Sequence, residues 1–227
     1  MRLSVLIPAV NETDSIGPVL QRTAAALPGH EIIVVAAGDG VAAAATAASP
    51  PATIVRSDAP RGASLNTAAR NATGDALLFL HADTLLPLNA EAAITGALAD
   101  RTTVGGAFRL RFDQDATIAR AIEQWVHARS VLLNVFLGDQ GLFVRKDVFF
   151  RAGGFRDWNV MEDLEILDRL RGFGRLRQVD ASVVTSARRH VLGGWLRTTG
   201  SVWLVTWLYF FGVPTSVLTA VYRRGRR

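Results

Sequence analysis

Apolar and polar positions alternate in blocks along the first hundred residues. Leu3 to Val10 is a short apolar run that stops at Asn11-Glu12-Thr13-Asp14-Ser15. This predicts a strand, then a polar loop supplying N-cap candidates for a helix that reaches Leu27. Glu31 to Ala36 reads as a second strand after Pro28-Gly29, and Ala42 to Ala48 is helical by propensity until Pro50-Pro51 breaks it. Thr53 to Arg56 is a short third strand, and Gly62 to Ala72 a helix of small residues (Ala63, Ser64, Ala68, Ala69 and Ala72). Small residues there predict tight helix-sheet packing, with close approach of a ligand as the other reading. Strands alternating with helices predict a parallel sheet with right-handed crossovers.

Asp75 to Leu80 is bounded by Gly74 and by a polar cluster, the pattern of a strand buried on both faces. His81, Ala82 and Asp83 then emerge at its carboxyl end, where open α/β sheets bind ligands. Such a carboxylate can hold a divalent metal against a diphosphate. Turn initiation by Asp83 and Thr84 before Pro87 accounts for the same residues without chemistry.

Glu91 to Ala99 continues the helices. Gly106 to Phe112 alternates, Phe108, Leu110 and Phe112 on one face and Arg109 and Arg111 on the other, predicting a half-exposed strand. Ala116 to Phe136 is a long amphipathic helix, Leu142 to Val144 a buried strand, and Lys146 to Arg151 a helical turn. Met161 to Gly172 is the clearest helix, with Leu164, Leu167 and Leu170 at helical spacing, acids in its first turn and arginines in its last. A strand precedes Ser186, and His190 follows in a loop. From Thr198 to Tyr222 no residue is charged. That length qualifies as a membrane-span candidate. Gly212-Val213-Pro214 interrupts it, however, and a single span would set the catalytic domain opposite the basic tail Arg223, Arg224, Arg226 and Arg227. The reading is therefore two helices lying on the domain or on a membrane surface, with Trp195, Trp203, Trp207 and Tyr209 suited to an interface.

Composition narrows the chemistry. The 227 residues suit one domain, 1–193, with an appendage, 194–227. There is no cysteine, which excludes disulfides, thiolate metal sites and a cysteine nucleophile. Lys and Arg number 25 against 20 Asp and Glu, and the excess is almost wholly arginine, a residue suited to phosphate groups. No helix-turn-helix, zinc-finger or aromatic RNA-binding signature accompanies it, so nucleic acid is not an expected partner. The apolar stretch after Met1 is too short for a signal peptide, which predicts a cytoplasmic catalytic domain. Neither a G-x-G-x-x-G nor a P-loop is present. Four polar clusters instead fall at carboxyl ends of strands: Asn11-Glu12, Gly38-Asp39-Gly40, Asp58 with Arg61, and His81 with Asp83. Four loops on one edge predict a pocket that fits a diphosphate nucleotide.

Ile7-Pro8-Ala9-Val10-Asn11-Glu12, Arg61-Gly62 with Asn66, Leu78-Phe79-Leu80-His81-Ala82-Asp83-Thr84, Gly138-Asp139-Gln140-Gly141 and Met161-Glu162-Asp163-Leu164-Glu165 occur in that order over almost the whole chain. In these motifs the sequence resembles family 2 glycosyltransferases of the A-type fold, and more narrowly the bacterial branch called radical-SAM/selenodomain-associated transferase 2. The resemblance implies an α/β fold, a mostly parallel central sheet flanked by helices, with a C-terminal helical appendage. It implies a nucleotide-diphospho-sugar donor held by Pro8, Ala9, Asn11, Glu12, Asp39, Arg61, Asn66, His81, Ala82, Asp83 and Arg188 or Arg189. The acceptor hydroxyl is unknown, a lipid or membrane-associated one being suggested by the aromatic C-terminus, and Asp139 and Gln140 lie on its side. His81-Ala82-Asp83 stands at the family's D-x-D motif, which makes Asp83, with His190, the candidate ligand of magnesium or manganese. Asp163, beside Glu162, takes the position of the general base for an inverting single displacement. Helix-dipole complementation is the non-catalytic reading of these acids.

Two positions depart from the pattern. The aspartate usual after the second strand is Ala36, with Asp39 three residues later, and the usual glycine of the small helix is Ala68. A nucleotide-sugar-binding or scaffold protein without turnover is therefore the alternative, and a sugar nucleotidyltransferase, lacking its glycine-rich N-terminus here, the third reading.

Overall fold

The computed structural model describes residues 1–49, 51–158 and 160–225. Pro50 of the expected helix break, and Arg226 and Arg227 of the basic tail, lie outside the described residues, as does the side chain of Arg223.

The first half follows the expected alternation: β1 (Leu3–Ala9), α1 (Thr13–Ala26), β2 (Glu31–Ala36), α2 (Asp39–Ala47), β3 (Thr53–Arg56), α3 (Arg61–Asn71) and β4 (Ala76–Phe79). The helix start after β1 uses none of the expected side-chain caps. Glu12 is the N-cap residue, and its carboxylate turns back to accept from the N–H groups of Val10 and Asn11, at 2.7 and 2.9 Å. A two-residue strand, β5 (Thr84–Leu85), occupies what reads in sequence as a turn, and α4 (Ala90–Ala99) follows.

Beyond it come β6 (Thr103–Phe112), α5 (Thr117–Leu133), a 3-10 turn (Gly138–Gln140), β7 (Leu142–Arg145), α6 (Lys146–Arg151), α7 (Glu162–Leu170) and β8 (Arg175–Thr185). The chain then runs through α8 (Arg188–Gly193), α9 (Trp195–Phe210) and α10 (Thr215–Gly225). One sheet carries all eight strands in the order β3-β2-β1-β4-β7-β6-β8-β5. The β3-β2-β1-β4 half is parallel, β7 runs antiparallel to both neighbours, and β6 pairs parallel with β8. The fold is the expected α/β architecture with flanking helices.

Successive residues of β1 feed opposite faces, as strand geometry requires. Val5 and Ile7 join the core under α1, α2 and α4, and Leu6 joins Leu65, Ala68 and Ala69 of α3 with Phe149 and Leu167 on the other side. The small residues of α3 thus serve helix-sheet packing. Over residues 106–112 β6 keeps the expected alternation, with Phe108, Leu110 and Phe112 buried and Arg109 and Arg111 more open, but it starts earlier, at Thr103, and its first half is buried on both faces between β7 and β8. His190 lies in α8, not in a loop.

The C-terminal stretch is two helices broken at Gly212-Val213-Pro214, and among the described residues no helix is long and apolar enough to cross a membrane. Val205 and Leu218 are fully buried against the domain. Of the four interface aromatics expected there, three turn inward: Trp195 packs on Phe112, Trp203 on Trp125, and the Tyr209 hydroxyl donates to Asp168. Trp207 is 55% exposed.

Candidate active site

The carboxyl end of β4, the N-termini of α3 and α7, the turn before β7 and the start of α8 all reach one edge of the sheet. They enclose a cavity of about 560 Å³, lined by the ionisable side chains of Arg61, Asp83, Asp139, Asp163 and Arg189 and by the His81 imidazole. Glu162 and His190 are also in its wall, and α9 closes it with Thr198, Ser201 and Val202. Glu162 and Asp163 reach it because Met161 adopts a left-handed conformation, φ 62°, and ends the loop there instead of continuing the helix expected from sequence. Such a conformation in a buried, non-glycine residue is locally unfavourable and persists only where its surroundings impose it.

One network ties these elements together. Arg61 pairs through Nε with Glu162 Oε1 at 2.9 Å and through Nη2 with His81 Nε2 at 2.5 Å. Burial first, then the charges of Arg61 and Arg189, hold the His81 pKa well below its usual range. His81 is therefore a neutral imidazole whose Nε2 accepts and whose Nδ1 carries the proton. This gives the histidine of the His81-Ala82-Asp83 segment a distinct job from the carboxylate two residues on. Burial likewise raises the pKa of Glu162, with Arg61 acting in the opposite direction.

Asp163 Oδ2 accepts from the Gly138 N–H at 2.5 Å, and its Oδ1 from the Leu164 N–H at 2.9 Å. Two backbone donors thereby fix its carboxylate. Gly138 makes this close approach because it has no Cβ. An added one would lie 2.8 Å from His81 Nε2 and 3.3 Å from Asp163 Oδ2.

Asp83 is 15% exposed in its side chain and faces Arg189, whose Nη2 is 3.8 Å away. Arg188 is exposed and outside the lining, so Arg189 is the arginine the fold delivers to the cavity. Asp139 keeps one buried oxygen without a partner. Burial is the main cause that pushes its pKa up to about 6, with Arg129 opposing and Asp163 and Asp83 adding to the shift. His190 packs edge-on to Phe112, and its buried Nδ1 has no partner. Burial, then Arg189, lowers its pKa, so it too is a neutral imidazole, the form that can ligate a metal.

The remaining expected site residues lie elsewhere. Pro8, Ala9, Asn11 and Glu12 stand at the same edge over the β3-β2-β1 half, outside the lining. Asp39 is 87% exposed in its side chain and pairs with Arg56 at 2.5 Å, three residues beyond the buried Ala36. Asn66 clamps the backbone of Phe155, donating to its carbonyl at 2.7 Å and accepting from its N–H at 2.9 Å. Ala82 is buried and its carbonyl accepts from Ser15. Gln140 is fully buried and makes four hydrogen bonds. It accepts from Arg129 and the Leu137 N–H, and donates to the Phe108 carbonyl and Ser130 Oγ. Its amide anchors the Gly138–Gln140 turn and does not face the cavity.

Sequence reasoning missed Arg129 and the wall contributed by α9. The first carried a signal, a charged residue at helical spacing from Val126 on the buried stripe of α5. The second depends on how α9 packs, which no local motif encodes.

Residues 4–156 match the family model described as Glycosyl transferase family 2. No curated protein matches the chain. Among solved structures, the mannosyltransferase PcManGT from Pyrobaculum calidifontis, in complex with GDP-Man and Mn2+, superposes with a TM-score of 0.73 at 21% identity, over 97% of this chain and 69% of that one. Glucosyl-3-phosphoglycerate synthase from Mycobacterium tuberculosis, with Mn2+, UDP and phosphoglyceric acid, gives 0.61 at 18% identity, over 94% and 79%. TarS from S. aureus, with UDP-GlcNAc, gives 0.64 at 13% identity, over 82% and 58%. At these identities the likeness is one of fold.

Proposed function

Because the chain belongs to glycosyl transferase family 2, we propose that its cavity transfers a sugar from a nucleotide-diphospho-sugar to an acceptor hydroxyl with inversion. The observation that carries this reading is the convergence of Asp83 and Asp163 on one cavity at the carboxyl edge of the sheet. The donors bound by the three structural neighbours, all nucleoside diphosphates or their sugars, support the substrate class. Histidine in place of the first acid of the D-x-D segment supports the selenodomain-associated branch.

In this reading the nucleotide lies over the β3-β2-β1 half, against Pro8, Ala9, Asn11 and Glu12, and its diphosphate reaches Arg189 beside Asp83. The domain of residues 1–193 supplies these groups, and residues 194–227 wall the acceptor side. Asp163, held by two backbone N–H groups, takes the proton of the acceptor hydroxyl. As the new bond forms to the anomeric carbon, the bond from that carbon to the diphosphate oxygen breaks and its electron pair leaves with the diphosphate. Glu162 acts through Arg61, which it holds against His81. Asp139 is the polar group for the acceptor.

The donor set fits a divalent metal, magnesium or manganese. Among the described residues no three acidic or histidine side chains form a preformed cage. Asp83 and His190, with its unpartnered Nδ1, instead offer one carboxylate and one neutral imidazole. That is the sparse protein contribution expected where substrate phosphates complete the coordination. When bound, the ion neutralises charge on the leaving diphosphate.

The exposed Asp39–Arg56 pair favours a second reading, binding without turnover, since Asp39, the acid expected to stand in for the one missing at Ala36, is engaged with Arg56 at the surface. Titration calorimetry with nucleoside diphosphates and their sugars, with and without manganese, separates the two when followed by transfer assays on Asp163→Asn. The enzyme reading expects metal-dependent binding that Asp83→Ala abolishes, and a loss in turnover of about 10²–10⁴-fold in Asp163→Asn with donor binding retained. Binding by the wild type with no transfer to any acceptor class would transfer the conclusion to the scaffold.

A further inference from the structure

The charge of this chain is segregated. After Asp180 there is no carboxylate, and seven arginines follow, so the net +5 of the whole molecule comes entirely from its last segment. Its described residues complete β8 and then fold into α8, α9 and α10. Along α9, Leu196, Leu204, Trp207 and Phe211 recur at helical spacing and are 78, 52, 55 and 78% exposed. The end of α5 adds Val131, Leu132 and Leu133, each at least 60% exposed.

Between α5 and α9 lies a second cavity of about 350 Å³, walled by Trp125, Leu133, Trp203, Trp207 and Phe210. Its charged members are Arg129 and Arg171, and no acid lines it. Arg171 is satisfied by Asp168 and the Asn134 carbonyl. Arg129 is only partly satisfied. It is 7% exposed, and its contacts are the Gln140 oxygen at 2.9 Å and the face of Trp125. The carboxylates of Asp139 and Asp163 act on it through space, but none lies at ion-pair distance among the described residues, and its buried Nε keeps no hydrogen-bond partner. A buried guanidinium with an idle donor is costly unless an anion or an oxygen-rich group completes it.

We propose that the α5–α9 face seats on an anionic phospholipid bilayer and that the second cavity receives one lipid from it, its chain against the tryptophans and its phosphate oxygens toward the guanidinium groups. Exposed aromatic and leucine side chains enter the interfacial layer, and the net positive charge of the C-terminal segment draws the chain toward a negative surface. A second copy of the chain is a poorer occupant, since it would bring two acid-free, arginine-rich segments face to face. The proposal stands apart from the transferase reading, because no donor enters its test.

The test is flotation of the intact chain with phosphatidylcholine vesicles and with vesicles containing about 30% phosphatidylglycerol, at low salt and at about 0.5 M NaCl. The expected result is binding to the anionic vesicles alone, weakened by salt, with tryptophan emission quenched by brominated acyl chains. Trp207→Asp with Phe211→Asp alters exposed positions only, so folding is retained, as circular dichroism checks, and vesicle partitioning should fall at least about tenfold. Failure of the wild type to float, equal flotation of the double variant, or binding without quenching would each overturn the proposal. So would a wild-type dimer that the double variant splits, which would make this face an interface between copies.

Discussion

Two residues at the candidate active-site cavity carry predictions of their own. Gly138 is the point at which the turn before β7 touches Arg61, His81 and Asp163 together, and Gly138→Ala sets a methyl 2.8 Å from His81 Nε2. The backbone must withdraw by a few tenths of an ångström, taking with it the N–H that orients Asp163. We expect kcat/KM to fall about 10–100-fold, for a stability loss of only about 1–3 kcal/mol, measured by transfer kinetics beside chemical denaturation. Asp139 makes a prediction about pH. Its carboxyl has an ordinary value of 3.8 and is pushed up to about 6 in the folded chain, chiefly by burial. The unfolded chain thus loses this proton first as pH rises, so folding stability from this group is present below about 4 and is lost between about 4 and 6. Asp139→Asn should accordingly be more stable than the wild type at pH 7, by roughly 1–3 kcal/mol, and little different at pH 4. Denaturant midpoints at the two pH values check it, and equal differences at both would show that Asp139 does not titrate in this range.

At the scale of elements, legibility followed how local the determinant is. β2 and β3 end where their apolar runs end, and Gly212-Val213-Pro214 separates α9 from α10 as composition requires. The early part of β6, from Thr103, was not legible because its burial comes from β7 and β8, strands distant in sequence, and α7 begins one residue later than its pattern suggests because Met161 is turned by its tertiary setting. At the site, motif order identified Arg61, His81, Asp83, Asp139 and Asp163, all in the cavity wall, whereas Asn66 and Gln140 sit in motifs and yet hold backbone. The sequence pattern does not distinguish a polar residue that faces a ligand from one that braces the loop presenting it. Two helix glycines show the same limit and make a paired prediction. A Cβ at Gly62 of α3 would meet the Arg156 carbonyl oxygen at 2.0 Å, while one at Gly17 of α1 meets nothing within 4 Å. Gly62→Ala should destabilise by several kcal/mol, whereas Gly17→Ala should stabilise by about 0.5–1 kcal/mol through the lower backbone entropy of the unfolded chain. Thermal melts of the two variants decide it, and equal shifts would mean that α3 does not press on the loop of Phe155 and Arg156 as described.

For the whole molecule, the join in the sheet is what divides labour. The parallel strands β3-β2-β1-β4 deliver loops from the first 83 residues to one side of the edge, and β7, β6 and β8 deliver the later loops to the other. Asp83 and Gly138 come from opposite sides of that join, and the cavity exists only where the two sets meet. This arrangement separates folding from metal loading. The core is two apolar clusters on either face of the sheet, at whose margin Asp83 faces Arg189 and the His190 ring packs on Phe112, and no cage of three protein ligands is preformed among the described residues. A metal held by one carboxylate, one imidazole and donor phosphates has nothing to contribute to the fold until the donor arrives. Chelation should therefore abolish transfer and donor binding and leave the melting temperature within about 1–2 °C, whereas manganese with a nucleoside diphosphate should raise it in proportion to the logarithm of ligand concentration. A large drop in melting temperature on chelation alone would mean that the ion is a structural member of the fold, and would shift the metal from the donor's side of the reaction to the protein's own architecture.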